Sequence, residues 1–227
     1  MLSQFFVTGT DTEVGKTFIS SAIMAIANAK QISCVGYKPI SAGCEMTPEG
    51  LRNEDAMCLL ESSTIEVSYD EVNPFAYVDA VAPHLAAAKT KQPICLDSVL
   101  DGLQNLRRKK AGLTLVEGAG GWRLPVGEGR FLSEFVVAAQ LPVVLVVGMR
   151  LGCLNHAILT YESVLSSGLQ VAGWVANHRE MEMPYLRENI DSLKEMLDAP
   201  FLGEVPLVKN AREAAQYLDI TPLLHLD

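Results

Sequence analysis

The residue types most able to do chemistry cluster near the N-terminus, in Gly9-Thr10-Asp11-Thr12-Glu13-Val14-Gly15-Lys16-Thr17. A short apolar run precedes this stretch and a helix-like pattern follows it. Gly15-Lys16-Thr17 is the core of a Walker A loop, where backbone amides and a helix N-terminus hold phosphate oxygens. The lysine of such a loop reaches the outer phosphates, and the threonine hydroxyl ligates magnesium. The pattern is offset by one position, because Thr10 stands where the common motif has its first glycine and Gly9 precedes it. Glu117 ends the apolar run Leu113-Thr114-Leu115-Val116, the place of an acid that holds the cation beside the loop threonine. Asp55 offers a second carboxylate, and Lys38 a second ammonium at the end of another apolar run. The alternatives without chemistry are a tight turn that needs Gly15 only for its backbone freedom, a glycine-rich loop capped by Glu117, and an exposed strand-end Lys38. No Ser/His/Asp elbow competes for a catalytic role, and neither the four histidines nor the five cysteines fall at metal-ligand spacing.

These residues need elements to position them. Short β-branched runs at Gln4–Thr8, Ser33–Lys38, Leu113–Glu117, Val143–Gly148, Val171–Ala176 and Phe201–Val205 predict strands, several apolar at successive positions, as strands covered on both faces must be. Between them, Lys16–Ala29, Glu54–Glu61, Pro83–Ala88, Ser98–Lys109, Leu132–Ala139, Asn155–Ser167 and Tyr185–Leu197 predict helices. The alternation implies an α/β, doubly wound, mainly parallel sheet with helices on both faces. Ligands in such folds sit beyond the carboxyl ends of the strands. That singles out Thr8–Thr17, Lys38–Gly43, Glu117–Gly121, Gly148–Asn155, Asn177–His178 and Pro206–Val208.

Bulk properties narrow the class. A chain of 227 residues, 49% hydrophobic and 20% charged, suits one unit spanning 1–227 and needs no disulfide or structural metal. A net charge of -9 argues against nucleic acid and against a polybasic membrane anchor. Five unpatterned cysteines read as reduced thiols, MLSQFFVTGT lacks the basic segment of a signal peptide, and the apolar run Leu141–Gly148 is too short to span a bilayer. A soluble cytoplasmic protein is the expectation.

Several segments together carry a resemblance. The loop Thr8–Thr17, then Gly36-Tyr37-Lys38-Pro39, Thr47-Pro48-Glu49-Gly50-Leu51-Arg52-Asn53, Val116-Glu117-Gly118-Ala119-Gly120-Gly121-Trp122, Leu151–Ala157 and Ala172–Asn177 resemble the dethiobiotin synthetases, in family order and over nearly the whole chain. The resemblance implies a P-loop NTPase fold. The activity it implies converts 7,8-diaminononanoate, CO2 and MgATP to dethiobiotin, ADP and phosphate through a carbamate and a carbamic–phosphoric anhydride. It implies ATP as cosubstrate, Mg2+ as cofactor and a homodimer with a shared active site. Lys38, Lys16 and Thr12 would act on the carbamate and the transferring phosphoryl. Thr17, Asp55 and Glu117 would hold magnesium. Nucleotide contacts would come from Glu13, Val14, Gly15, Lys16, Thr17, Phe18, Asp55, Glu117, Gly118, Ala119 and Gly120, with Asn177, His178, Pro206, Leu207, Val208 and Glu213 at the adenosine end. Ser41, Ala42, Gly152, Cys153, Leu154 and Asn155 would meet the diamine substrate, the last four from the partner subunit through amides at a helix N-terminus.

The chain departs from that pattern in three places. Ala42 stands where the family has a hydroxyl residue before Gly43, His178 replaces an aspartate after Asn177, and the stretch after Pro206 aligns poorly. The other readings are a divergent paralogue with a changed substrate and a partitioning-type P-loop ATPase switch. The latter group carries a signature lysine early in the loop, where this chain has Asp11, and often a basic amphipathic tail, where it ends Ile220–Asp227.

Overall fold

The computed structural model describes residues 3–225; Met1, Leu2, Leu226 and Asp227, the tips of the terminal stretches considered above, lie outside the described residues. Six strands, β1 (Ser3–Gly9), β2 (Cys34–Tyr37), β3 (Leu113–Gly121), β4 (Val143–Met149), β5 (Val171–His178) and β6 (Phe201–Val205), form one sheet. They lie in the order β6-β5-β4-β1-β3-β2, and every neighbouring pair is parallel. Around them pack α1 (Lys16–Ala29), α2 (Glu54–Ser62), α3 (Pro83–Thr90), α4 (Leu96–Arg108), α5 (Leu132–Ala138), α6 (Cys153–Ser166) and α7 (Leu186–Met196).

Alternation along the strands explains why helices cover both faces. Phe5, Val7, Leu115, Val144 and Val146 point into a core closed by Ile19, Ile23 and Ala27 of α1 and Leu59 of α2. Phe6, Val116, Val143, Leu145 and Val147 point into the opposite core, closed by Val99, Leu103 and Leu106 of α4, Phe135 of α5, Val164 of α6 and Leu193 of α7. A strand apolar on both faces cannot tolerate water on either, and all of β4 is buried. The spacing Leu96, Val99, Leu103, Leu106 puts one apolar stripe of α4 on the sheet.

Two of the sequence-based boundaries that bear on the site need correction. The third strand does not stop at Glu117 but continues to Gly121, because side-chain-free Gly118, Gly120 and Gly121 let the backbone run on beside β1, with Gly121 opposite Gly9. Glu117 therefore lies inside the strand, fully buried, rather than at an exposed tip. Helix α6 begins at Cys153, with Gly152 in the left-handed conformation at its N-cap, so Cys153 and Leu154 are helical rather than part of a preceding loop. Sequence periodicity also did not anticipate the short pairings Ile40–Ser41 with Phe75–Ala76, Glu45–Thr47 with Gly50–Arg52, and Pro125–Gly127 with Arg130–Phe131.

One close approach ties the fold to the future site. A Cβ on Gly36 of β2 would lie 2.7 Å from the Cβ of Leu59, so α2 rests directly on the bare backbone of that strand. Asn53 caps α2 by accepting from the Ala56 amide at 3.2 Å, and Glu54 and Asp55 occupy its first turn, where carboxylates suit the helix dipole. Gly36→Ala should push α2 off β2 and lower stability by about 1–3 kcal/mol, the usual cost of overpacking. Urea denaturation measures this; an unchanged midpoint would mean that the contact does not seat the helix.

Candidate active site

Strand order places the site. The chain runs from β1 to β2 and β3 on one side, and then to β4, β5 and β6 on the other, so the loops leaving β1 part at their carboxyl ends. A cavity of about 1010 Å³ opens there. Thr12, Glu13, Gly15, Lys16, Thr17, Phe18, Lys38, Ser41, Ala42, Asp55, Ala119 and Gly120 line it, which brings together about half of the expected residues.

The loop between β1 and α1 is bent by Glu13 at φ 59° and Gly15 at φ 88°. Gly15 is the N-cap of α1, so the amides that follow it have no helical partner and face the cavity. Asn177, buried at the end of β5, donates from Nδ2 to the Val14 carbonyl at 2.8 Å and braces the loop from behind. A Cβ on Gly15 would collide with that amide. At the other end Asp11 pairs with Arg150, just beyond β4, and accepts from the Thr12 amide at 2.7 Å. The loop is thereby anchored to two strands besides its own.

Next to it lies a compact charge network. Lys38 Nζ donates to Glu117 Oε1 at 2.7 Å, Asp55 Oδ2 at 3.0 Å and the Gly118 carbonyl at 3.1 Å. Thr17 Oγ1 donates to the same Glu117 Oε1 at 2.6 Å, and Ser20 Oγ donates to Oε2 at 2.9 Å. Both Lys38 and Glu117 are buried, so neither charge has much water to solvate it. Burial disfavours the ammonium of Lys38, but Glu117 and Asp55 more than offset this and hold its pKa above the ordinary lysine value. Burial likewise raises the Asp55 pKa, and Lys38 with the Thr17 hydrogen bond outweighs it, leaving the carboxyl below the ordinary aspartate value. Lys16 differs. Among the described residues it has no carboxylate at ion-pair distance, and burial followed by repulsion from Lys38 brings its pKa down to about 8.

A hard divalent cation fits this donor set. Magnesium takes oxygen from one or two carboxylates and completes its shell with water and phosphate oxygens. Thr17 and Asp55 supply a hydroxyl and a carboxylate to the cavity lining, and Glu117, buried behind them, is tied to Thr17 directly and to Asp55 through Lys38.

Beneath the cavity, a second network holds the Lys38–Ala42 segment. Asn73 Nδ2 donates to the Lys38 carbonyl at 2.6 Å, and Asn73 Oδ1 accepts from Ser41 Oγ at 2.7 Å and from Tyr69 at 2.9 Å. The Ser41 proton is therefore directed away from the cavity. Ala42 lines the cavity, and its carbonyl accepts from Asn53 Nδ2 at 3.4 Å.

Other expected residues stand apart from the cavity lining. His178 pairs with Glu204 at 3.0 Å. Glu213 accepts from the Lys209 amide at 3.1 Å and from Asn210 Nδ2 at 3.0 Å, closing its own turn. Pro206, Leu207 and Val208 lead into Lys209, Asn210 and Ala211, and it is these latter three that line the cavity. Gly152, Cys153, Leu154 and Asn155 lie outside it, beside Leu151, whose side chain is 97% exposed. Sequence reasoning missed Arg179, Lys209, Asn53, Asn73 and Ser20. Only Ser20 had a usable signal, standing three residues after Thr17 on a helix.

Comparison with known proteins adds chemistry to this geometry. A family model described as an AAA domain matches residues 3–215. The ATP-dependent dethiobiotin synthetase BioD of Aeromonas hydrophila subsp. hydrophila is 48% identical over 226 residues, covering 99% of this chain and 100% of that protein. Its namesake in Cellvibrio japonicus is 48% identical over 222 residues, covering 97% of each. Among solved structures, the septum site-determining protein MinD of Pyrococcus horikoshii, complexed with Mg-ADP, superposes with a TM-score of 0.58 at 12% identity, over 97% of this chain and 94% of that one. At that identity the likeness concerns the fold alone, a P-loop NTPase sheet.

The network makes a direct demand. Removing the Lys38 ammonium leaves Glu117 buried without a counter-charge, so Lys38→Met should lower stability by about 3–5 kcal/mol. Lys38→Met combined with Glu117→Gln should cost less than Lys38→Met alone. Chemical denaturation of the wild type and the variants tests both; additive losses would mean that the two side chains are not coupled.

Proposed function

The chain belongs to the ATP-dependent dethiobiotin synthetase family, and from that premise we propose that it carboxylates 7,8-diaminononanoate with CO2 and closes the cyclic urea at the expense of ATP. The observation that carries this reading is the Lys38–Glu117–Asp55–Thr17 network, set beside a strand-anchored phosphate loop in one cavity. The whole chain, 1–227, would serve as one functional unit.

The reaction explains why two ammonium groups are needed. A carbamate carries negative charge and is a poor electrophile. Transfer of the γ-phosphoryl to a carbamate oxygen gives a mixed anhydride and ADP. The free amine of the substrate then attacks the carbamoyl carbon, the carbon–oxygen bond to phosphate breaks, and the cyclic urea forms as phosphate leaves. The protein has to bring two anions into line and neutralise the charge between them, so positioning and electrostatics dominate.

In this scheme the amides at the start of α1 cradle the phosphates and Lys16 reaches the β and γ groups. Its pKa of about 8 reflects a buried ammonium that lacks a counter-ion, which a bound polyphosphate supplies. Lys38 steadies the carbamate and the transferring phosphoryl, and Thr12, lining the same cavity, contacts the carbamate. Thr17, Asp55 and Glu117 are the residues that would hold Mg2+, which when bound neutralises phosphate charge. The Asn177–His178 pair and the turn from Pro206 to Glu213 would frame the adenosine end. Gly118 joins the nucleotide side by accepting from Lys38.

Two further assignments belong to this proposal. No helix among the described residues is long and apolar enough to cross a membrane, which accords with a cytoplasmic location. The exposed Leu151 and Leu159, at and on α6, support a homodimer in which Gly152–Asn155 reach the partner's active site. The free amides at that helix N-terminus would then receive the carboxylate of the substrate.

Purified protein given the diamine, bicarbonate and MgATP should release phosphate and form dethiobiotin, and absence of both products would overturn the reading. Lys16→Ala should reduce turnover by about 10²–10³ by withdrawing charge from the transition state; wild-type rates would remove the loop from the mechanism. Leu151→Asp should convert a dimer to a monomer in light scattering and weaken diamine binding while ATP still binds. A variant that remains dimeric with normal diamine affinity would eliminate this interface.

A further inference from the structure

Arg179 is a charged residue of the cavity for which the ring-closing chemistry has no task. It follows β5 directly, and alternation along the extended chain turns Asn177 and Arg179 to one side while His178 turns to the other, towards Glu204. Its stem passes over the neighbouring strand, where the Cγ lies 3.3 Å from where a Cβ on Gly148 would sit. Its head ends above the phosphate loop, with Nη1 3.6 Å from the corresponding point on Gly15. Both positions are glycine, and the Asn177 amide and the Val14 side chain crowd the same two points, so the guanidinium rests on the edge of the turn beside them.

The chain carries a net charge of -9, with 27 acidic residues against 18 lysines and arginines. Arg130 and Arg150 each pair with one carboxylate and Arg187 with two, while Arg52, Arg107, Arg108, Arg123 and Arg212 have none at ion-pair distance among the described residues. Among the described residues Arg179 makes no ion pair, and neither does Lys209, which lines the same cavity from the turn after β6. His178, beside it, has already taken the nearby Glu204. Arg179 and Lys209 thus join Lys16 as cavity cations with no carboxylate at ion-pair distance among the described residues.

We propose that Arg179 is a nucleotide-binding residue whose guanidinium pairs with the polyphosphate of ATP over Gly15, with Lys209, in the turn after the neighbouring strand β6, adding to the positive potential. A planar guanidinium offers paired donors matched to phosphate oxygens, and it needs no movement of the loop to reach them. The inference rests on the reading of the cavity as an ATP site.

The test uses the full-length protein and two probes, a fluorescent ADP analogue and inorganic tripolyphosphate as its competitor. Arg179→Ala should weaken both by about tenfold, Arg179→Lys should recover part of the loss, and raising the salt concentration should narrow the gap between wild type and variant. Circular dichroism and melting temperature establish that each variant is folded. Weaker ADP binding with unchanged tripolyphosphate binding would place the guanidinium on the base or ribose and overturn the proposal. Unchanged binding of both would overturn it too. A wild type that binds neither probe would instead defeat the underlying assignment of the cavity.

Discussion

The structure depends most on the ammonium of Lys38 meeting the carboxylate of Glu117 inside the protein. Two opposite charges without water are tolerable only when each is paired and further hydrogen-bonded. Here Lys38 also reaches Asp55 and the Gly118 carbonyl, while Glu117 also accepts from Thr17 and Ser20. These partners come from α1, α2, β3 and the end of β2, so satisfying one buried pair fixes four elements relative to one another. The close approach of α2 to Gly36 is the packing counterpart of the same constraint, since Asp55 arrives on that helix.

The phosphate loop obeys a different rule. Its own hydrogen bonds cannot hold it, because its purpose is to leave amides free. It is instead held by neighbours: Asn177 at the Val14 carbonyl, Arg150 at Asp11, and the Thr10 amide on the Val146 carbonyl at 3.0 Å. These contacts come from β4 and β5, the strands on the far side of β1 from Lys38. The cavity is therefore assembled by both halves of the sheet, one supplying the rigid frame of the loop and the other the charges that face it. The same frame separates this chain from the switch ATPases that share its fold. Asp11, at the position of their signature lysine, is committed to a structural ion pair.

Much of the fold was legible in the sequence because buried parallel strands must be apolar on both faces. Runs such as Val143-Val144-Leu145-Val146-Val147 announce themselves, and the glycine-lysine-threonine turn marks where the first strand hands over to a helix. The continuation of β3 past Glu117 was not legible, since glycine carries no strand signal and the pairing of Gly121 with Gly9 is a tertiary event. In the site, residues with local motifs were found and residues acting from a distance were not. Asn73 and Arg179 belong to no motif. Asn73 ends the short helix Tyr69–Val72 at the back of the Lys38 segment, and Arg179 leaves β5 at the rim of the loop. Of the segment expected at the adenosine end, Lys209, Asn210 and Ala211 line the cavity and the preceding Pro206–Val208 do not.

The same distinction bears on Ala42. A missing hydroxyl matters for the architecture only if that hydroxyl holds the backbone in place, and here it does not. The Lys38–Ala42 segment is secured through the Lys38 carbonyl and the Ser41 hydroxyl by Asn73, and the Lys38 amide donates to the Val72 carbonyl at 2.8 Å. All of these contacts lie on the buried side, away from the cavity wall that Ala42 contributes. Alanine at this position therefore removes at most one donor to a bound substrate, whereas the loop that carries Lys38 keeps its position. The charge that the reaction requires is set by the buried network, and residue 42 is free to vary without disturbing it.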